Sequence, residues 1–389
     1  GTDISPPAGW RHSMMAHAWN DPYFQATVED QTDEFPDYAG DIEDKCLTCH
    51  SPMGHSQAHA SGLGLSNTAC TGETGCYRMA TAQQDDHARE GVSCTLCHQM
   101  VDGAVDLPSS GNFLVPGEGE ATARIIYGPF LNPRGRPMQR RTNYDVRHSA
   151  YLSSSRHCAT CHDLSTTSFD INTGHPAQPA ISFKEQAPYA EWRNSRYSTD
   201  GVAKKTCQDC HMPAPDDYAT RIAVTPSGLA NSRWPKRRPY SLHEFAGGNT
   251  YVLGLLKTWR RELGIADSTT EEGFDAAISS SREVLRQAAD ISLQSYSRNA
   301  QQLKLEVTVK NRTGHKLPTG YPSRRMWVQL TVADANGSVF FESGKPNEHG
   351  SLDMDQSHLQ PSCLTTNKPD GFDSTSCFEQ HRNQISSPE

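Results

Sequence analysis

The chain is poor in the residues from which a protein core is normally built. Hydrophobic residues make up 35% of its 389 positions and aromatic residues 8%. Leu, Ile, Val and Phe are especially sparse through roughly the first 250 residues, a composition that on its own points toward disorder. Long apolar runs are missing too: none reaches about 18 residues, which excludes a membrane-spanning helix. Basic charge is outnumbered, with 36 Lys and Arg against 45 Asp and Glu, for a formal net charge of −9. That balance excludes nucleic acid and anionic lipid as favourable partners and leaves basic surfaces as the ones steered toward it.

Cysteine, by contrast, is abundant and ordered. Four quintets of the form Cys-x-x-Cys-His occur, at Cys46-Leu-Thr-Cys49-His50, Cys94-Thr-Leu-Cys97-His98, Cys158-Ala-Thr-Cys161-His162 and Cys207-Gln-Asp-Cys210-His211. With this cysteine and histidine content, chance would produce roughly 0.02 such quintets. Each is the attachment signature of c-type haem: two thiols form thioethers to the porphyrin vinyl groups and the following His ligates iron. Zinc ribbons pair two Cys-x-x-Cys motifs at short spacing, and a thioredoxin-like pair is single and precedes a helix in a βαβ unit. Neither pattern is present, so four covalently attached haem c groups are expected, with His50, His98, His162 and His211 as proximal ligands. Porphyrin faces would then supply the apolar surface the side chains lack, and folding would be coupled to haem attachment as metal binding is in other small sites. Eight propionates would make the surface still more acidic.

Of the twelve cysteines, eight serve the quintets. The remaining four fall as local pairs, Cys70 with Cys76 and Cys363 with Cys377, and are expected to form two disulfides in a protein matured outside the cytoplasm. Because haem c is attached outside the cytoplasmic membrane, a cleaved leader is expected to have preceded Gly1 and the location to be periplasmic or extracellular.

The expected fold class is α+β. Residues 1–265 form a loop-rich multihaem domain with short helices, residues 266–290 a connecting helix, and residues 291–389 a small antiparallel β module, sandwich-like, with a polar tail. Within these, Leu253, Leu255, Leu256 and Trp259 predict a helix over 249–263 that Gly264 stops. Ser268-x-x-Glu271 or Thr269-x-x-Glu272 predicts a capping box opening a second helix that runs to about residue 289. Alternation over Leu303–Val309, Met326–Val332 and Ser338–Glu342 predicts strands, the last two joined at Asn336-Gly337, a strong hairpin signal. Residues 344–389 are polar and turn-rich and carry no closing strand, which fits either a fragment or a fold completed on a neighbour.

The sixth position on each iron decides what such a protein does. A second His gives a saturated, low-potential electron-transfer centre, Met raises the potential, and an open position permits substrate chemistry. Of 17 histidines, thirteen lie outside the quintets. His17 lies in Trp10–Trp19, a predicted short helix able to turn one face to a porphyrin. His148 precedes Cys158 by ten residues, and His243 lies before two glycines that permit close backbone approach. His315 stands in a tight loop of the β module from which it would reach a haem. These four are the expected distal ligands, with Met15, His87, His59 and His12 in reserve.

Several strings, Ser13-Met-Met-Ala16, Gly91-Val-Ser-Cys94, Glu191-Trp-Arg-Asn-Ser195, Cys207-Gln-Asp-Cys-His-Met-Pro213, His243-Glu-Phe-Ala-Gly-Gly-Asn249 and Thr313-Gly-His-Lys-Leu-Pro-Thr-Gly-Tyr-Pro-Ser-Arg-Arg325, resemble the multihaem cytochromes related to cytochrome c-554. The resemblance implies a secreted haem-rich domain joined to a β module and working in respiratory electron transfer. It also resembles subunits polymerised into extracellular cytochrome filaments. The leading expectation is therefore an electron carrier rather than an enzyme, its partners other redox proteins, chiefly cytochromes, or copies of itself. The alternative is an oxidoreductase with one open iron acting on a small nitrogen or sulfur compound. The Lys-ligated attachment variant of nitrite reductases and a basic cluster near any quintet are both lacking.

Overall fold

A computed structural model describes residues 4–62, 70, 75–103, 109–116, 124–170, 173–198, 202–214, 237–238, 240–299, 303–322 and 324–347. Two compact units divide the chain, residues 1–324 and residues 325–389. Short helices and small sheets, most of them antiparallel, make up the described part, as the composition demands.

In the first unit the helices are α1 (Pro6–Trp10), α2 (Pro22–Glu34), α3 (Ala39–His50), α4 (Pro52–Ala60), α5 (Met79–Ala82), α6 (Cys94–Gln99), α7 (Gly135–Thr142), α8 (Ser155–Ala159), α9 (Pro188–Arg193), α10 (Cys207–His211), α11 (Thr250–Thr258) and α12 (Glu271–Gln287). Each quintet lies on or against a helix. The reason is geometric: on a helix, positions i, i+3 and i+4 share a face, so both thiols and the imidazole can address one macrocycle. Among the described residues the strands pair two by two. β1 (Arg124–Gly128) runs parallel to β2 (Tyr144–His148), β3 (Leu164–Thr167) pairs antiparallel with β6 (Ser182–Gln186), and β4 (Phe169–Asp170) with β5 (His175–Pro176). β7 (Ala289–Arg298) and β8 (Leu303–Asn311) form a long antiparallel pair with a register shift between Leu293 and Ser295.

Among the described residues the buried apolar side chains gather in three small clusters. One joins Trp19, Phe24, Val28, Leu47, Tyr77, Ala82 and Ala88, the second Val252, Leu253, Leu256, Ile265 and Phe274, and the third Leu96, Met100 and Tyr151. Two of them include a residue inside a quintet, Leu47 in the first motif and Leu96 in the second.

The helix predicted over 249–263 is shorter, Thr250–Thr258, because Asn249 caps it and the chain leaves helical geometry at Trp259. Gly264 adopts φ +66 beyond it, a left-handed conformation that suits glycine. The second helix is capped neither by Ser268 nor by Thr269. Thr270 is the cap: its hydroxyl accepts the Gly273 N–H, and the helix ends at Gln287. The residues that follow form β7, a strand absent from the sequence expectation, whose polar-rich segment gave no clear alternation. Trp10–Trp19 is not one helix. α1 ends at Trp10, and hydrogen-bonded turns carry the chain to Trp19.

In the second unit β9 (Leu330–Ala333) pairs antiparallel with β10 (Val339–Ser343). Asn336-Gly337 lies at their turn, where Gly337 takes φ +85 and the Asp334 carboxylate accepts the N–H groups of Asn336 and Ser338. The strand predicted from Met326 begins later, at Leu330. Cys70 and Cys76 form a disulfide, while Cys363 and Cys377 lie outside the described residues. Among the described residues no helix is long and apolar enough to cross a membrane.

Candidate functional site

The third quintet sits at the centre of the four. The Cys49 thiol of the first motif donates to Cys161 of the third. Cys158, at the other end of the third motif, donates to Cys207 of the fourth. Cys97 of the second motif is close enough for its charge to be felt at Cys158. Burial pushes the Cys46 and Cys97 thiols up to about 12. Among the described residues, no quintet brings three His, Cys or acidic donor atoms within 4.8 Å of one another. A tetrahedral zinc site would need that clustering, and a porphyrin spanning thiols and imidazole would not.

Local structure orients three of the four quintet imidazoles. The Nδ1–H of His50 donates to the Ala18 carbonyl (3.1 Å), that of His98 to the Tyr127 carbonyl (2.7 Å), and that of His211 to the Ala246 carbonyl (2.7 Å). Those bonds fix the tautomer and leave Nε2 to face a metal, as carbonyls behind other metal-bound histidines do. Phe24 stacks flat on His50, with ring centres 3.7 Å apart and planes 4° apart. His162 is exposed.

Two of the proximal imidazoles have a second imidazole facing them. His98 and His243 lie with ring centres 6.4 Å apart and planes 16° apart. His211 and His315 repeat the same arrangement, 6.4 Å and 16°. These distances are too long for ring stacking and suit an ion held between. A metal–imidazole bond of about 2 Å on each side, plus about 1 Å from nitrogen to ring centre, gives a separation of about 6 Å. The distal rings are oriented by the same device: Nδ1–H of His243 donates to the Ser241 carbonyl (3.0 Å) and that of His315 to the Lys316 carbonyl (2.9 Å). Burial lowers the pKa of both, which favours the neutral, ligating form. The donor set and its spacing therefore fit a six-coordinate haem iron at two of the four motifs.

The other expected distal residues divide. His17 is 5% exposed; its Nε2–H donates to the Arg11 carbonyl, it packs against Phe274, and burial lowers its pKa to about 4. Its Nδ1 is buried and has no protein partner. His148 ends β2, half-buried, with no ring facing it among the described contacts. His12 is engaged at both nitrogens, with Nδ1–H donating to Ala8 and Nε2 accepting from the Thr270 N–H. His87 faces Asp85, and His59 faces Asp44. The Met15 carbonyl accepts the Val92 N–H just before the second quintet. Sequence reasoning passed over His157. Its Nδ1 is also buried without a protein partner, and burial, together with the nearby His98, lowers its pKa to about 4. Its place directly before Cys158 was the one signal available. An open cleft of about 620 Å³, lined by Phe35, Phe169, Phe183, Glu185 and Tyr321, lies beside the first motif, with Glu185 close enough to act on Cys46.

Four attachment quintets, three of them with the imidazole oriented by a backbone carbonyl, are the signature of a multihaem c-type cytochrome. Residues 157–230, which hold the third and fourth quintets, match the family model described as cytochrome c554 and c-prime. That match covers 74 of the 389 residues, and over them the chain resembles cytochrome c554. Among curated proteins none matches. A solved structure of a penta-haem cytochrome c552 from Thermochromatium tepidum is similar at 17% identity over 86% of this chain and 70% of that one, with a TM-score of 0.47.

Proposed function

We propose that the chain is a tetrahaem electron carrier whose irons are each held between two protein ligands. Haem c, when bound, supplies reversible one-electron exchange at iron. The protein's part is to bind, orient and saturate. Cys46 and Cys49, Cys94 and Cys97, Cys158 and Cys161, and Cys207 and Cys210 anchor the four groups, with His50, His98, His162 and His211 as proximal ligands.

The observation that carries the reading is the pair of facing imidazoles, His98 with His243 and His211 with His315, both at 6.4 Å and 16°. The buried, partnerless Nδ1 atoms of His17 and His157 are the donors we assign to the two remaining distal positions, because a buried polar atom without a protein partner is costly unless something else satisfies it. His157 thus takes the place that His148 held in the sequence expectation. With all four positions filled there is no open iron for substrate, and the chain conducts rather than turns over.

The proposed setting is respiratory electron transfer outside the cytoplasm, with other cytochromes as donors and acceptors. Extension to a subunit of a conductive filament rests on the family resemblance and on histidines in excess of those the four irons use. Mass spectrometry of the holoprotein should give four haem c per chain, and its oxidised spectrum should be six-coordinate and low-spin throughout. A persistent high-spin fraction in pure protein refutes saturation and favours the reading as an oxidoreductase. Negative-stain images showing only monomers remove the filament.

A further inference from the structure

A cluster of side chains with metal-ligating atoms, Asp44, His55 and His59, lies beside the first quintet and includes none of its cysteines or its histidine. Helix α4 carries His55 and His59 four residues apart, so both rings occupy one face of the helix. That face is turned to Asp44 on the neighbouring helix α3. His55 Nε2 lies 3.3 Å from Asp44 Oδ2, and His59 Nε2 lies 3.0 Å from Asp44 Oδ1. The two rings are 4.3 Å apart at their centres, and all three donor atoms lie within 4.8 Å of one another.

We propose that Asp44, His55 and His59 form a binding site for a divalent transition-metal ion of the zinc class, distinct from the haem irons. Zinc binds imidazole nitrogen and carboxylate oxygen at roughly 2.0–2.2 Å in tetrahedral geometry, which puts neighbouring donor atoms about 3.3 Å apart. The two nitrogen–oxygen separations, 3.3 and 3.0 Å, lie near that value but run to different carboxylate oxygens, so the imidazoles would have to close on a shared ion between them. Two imidazoles and one carboxylate leave the fourth position to water. This donor set selects zinc, copper or nickel over magnesium and calcium, which take oxygen shells.

The surroundings fit a prepared site. The Tyr77 N–H donates to Asp44 Oδ1 at 2.7 Å and holds the carboxylate in place. Tyr77 is itself pinned: its hydroxyl donates to Asp85 at 2.6 Å, and its chain neighbour Cys76 is tied to Cys70 by the disulfide. Thr48 Oγ1 lies 3.3 Å from His55 Nε2. The three side chains retain 17%, 12% and 32% of their exposure for Asp44, His55 and His59, enough for an ion to enter from solvent. Asp44 lies two residues before Cys46, so a bound ion would brace α4 against the helix that ends in the first haem motif. It would also place positive charge near that motif.

The test uses holoprotein stripped with a chelator and equilibrated with zinc chloride. Zinc and iron are then counted by plasma mass spectrometry. The wild type should hold one zinc per chain more than the double variant His55→Ala/His59→Ala, and Asp44→Asn should lose most of that zinc. Zinc should raise Tm in the wild type only, and all variants should keep the wild-type low-spin spectrum and haem content. Equal zinc in wild type and double variant overturns the proposal. So does a high-spin signal in either histidine variant, which would show that the ring serves a haem iron. Should the double variant fail to fold, His55→Gln and His59→Gln, tested singly, should each weaken zinc binding at least tenfold, and unchanged binding in both refutes the site.

Discussion

Replacing His243 with alanine isolates one of the proposed distal bonds. The side chain faces His98 at 6.4 Å, donates from Nδ1 to the Ser241 carbonyl, and meets Phe245 edge-on at a ring distance of 5.9 Å. Its removal forfeits a hydrogen bond worth about 1 kcal/mol and an aromatic contact worth about 0.5–1.5 kcal/mol. A structural loss of about 2 kcal/mol should lower Tm by several degrees without unfolding the chain. The spectroscopic consequence is larger. One iron of four loses its sixth ligand, so about a quarter of the haem should turn high-spin, while thioether attachment and haem stoichiometry persist. Free imidazole should restore the low-spin spectrum by entering the space the side chain leaves, and His243→Met should stay low-spin but raise the potential of one haem. His315→Ala should behave in the same way, and the double variant should reach about half high-spin, because the two facing pairs are separate. A fully low-spin His243→Ala spectrum without added imidazole would refute the pairing with His98.

Further outcomes follow from other contacts. Phe274 is fully buried and packs on both His12 and His17, so Phe274→Ala should cost about 3–5 kcal/mol by thermal or denaturant unfolding. It should also broaden the spectrum of whichever haem uses His17; an unchanged Tm would contradict the packing. Gly91 has φ +54, and a Cβ there would meet the Ala16 and Met15 carbonyl oxygens at 2.6 and 2.7 Å, so Gly91→Ala should lower stability by about 1–3 kcal/mol. Burial raises the Asp44 carboxyl, but hydrogen bonds from His55, the Tyr77 N–H and His59 outweigh it and hold the group at about 2. Its folded-state pKa is thus depressed, so the stability it contributes is present above about pH 4 and is lost as pH falls through about 2. In the presence of chelator, Asp44→Asn should flatten the acid limb of the stability profile in that window; an identical limb in both proteins would contradict it.

The sequence by itself determined the cofactor chemistry. Each of the four quintets carries the attachment pattern within itself, because a pentapeptide that must place two thiols and an imidazole on one macrocycle is a local requirement, satisfied within a single helical turn. The hairpin at Asn336-Gly337 was legible for the same reason, and so was the local disulfide between Cys70 and Cys76. What lies opposite each proximal histidine is not local. His243 is 145 residues from His98 in sequence, and His315 is 104 from His211, so only the tertiary structure sets them face to face. Single residues before or after a loop carry no periodic signal, which is why the sequence put His148 forward and gave His157 no support, and only burial of an unpartnered Nδ1 drew attention to the second. The helix boundaries moved by a few residues for a related reason: several Ser and Thr in a row could each cap, and packing chose Thr270. The pairing of Asp44 with His55 and His59 was likewise invisible, because the four-residue spacing on α4 says nothing of what α3 presents to it. Local chemistry wrote the haem motifs into the chain, and the meeting of distant segments decided what stands on their other side.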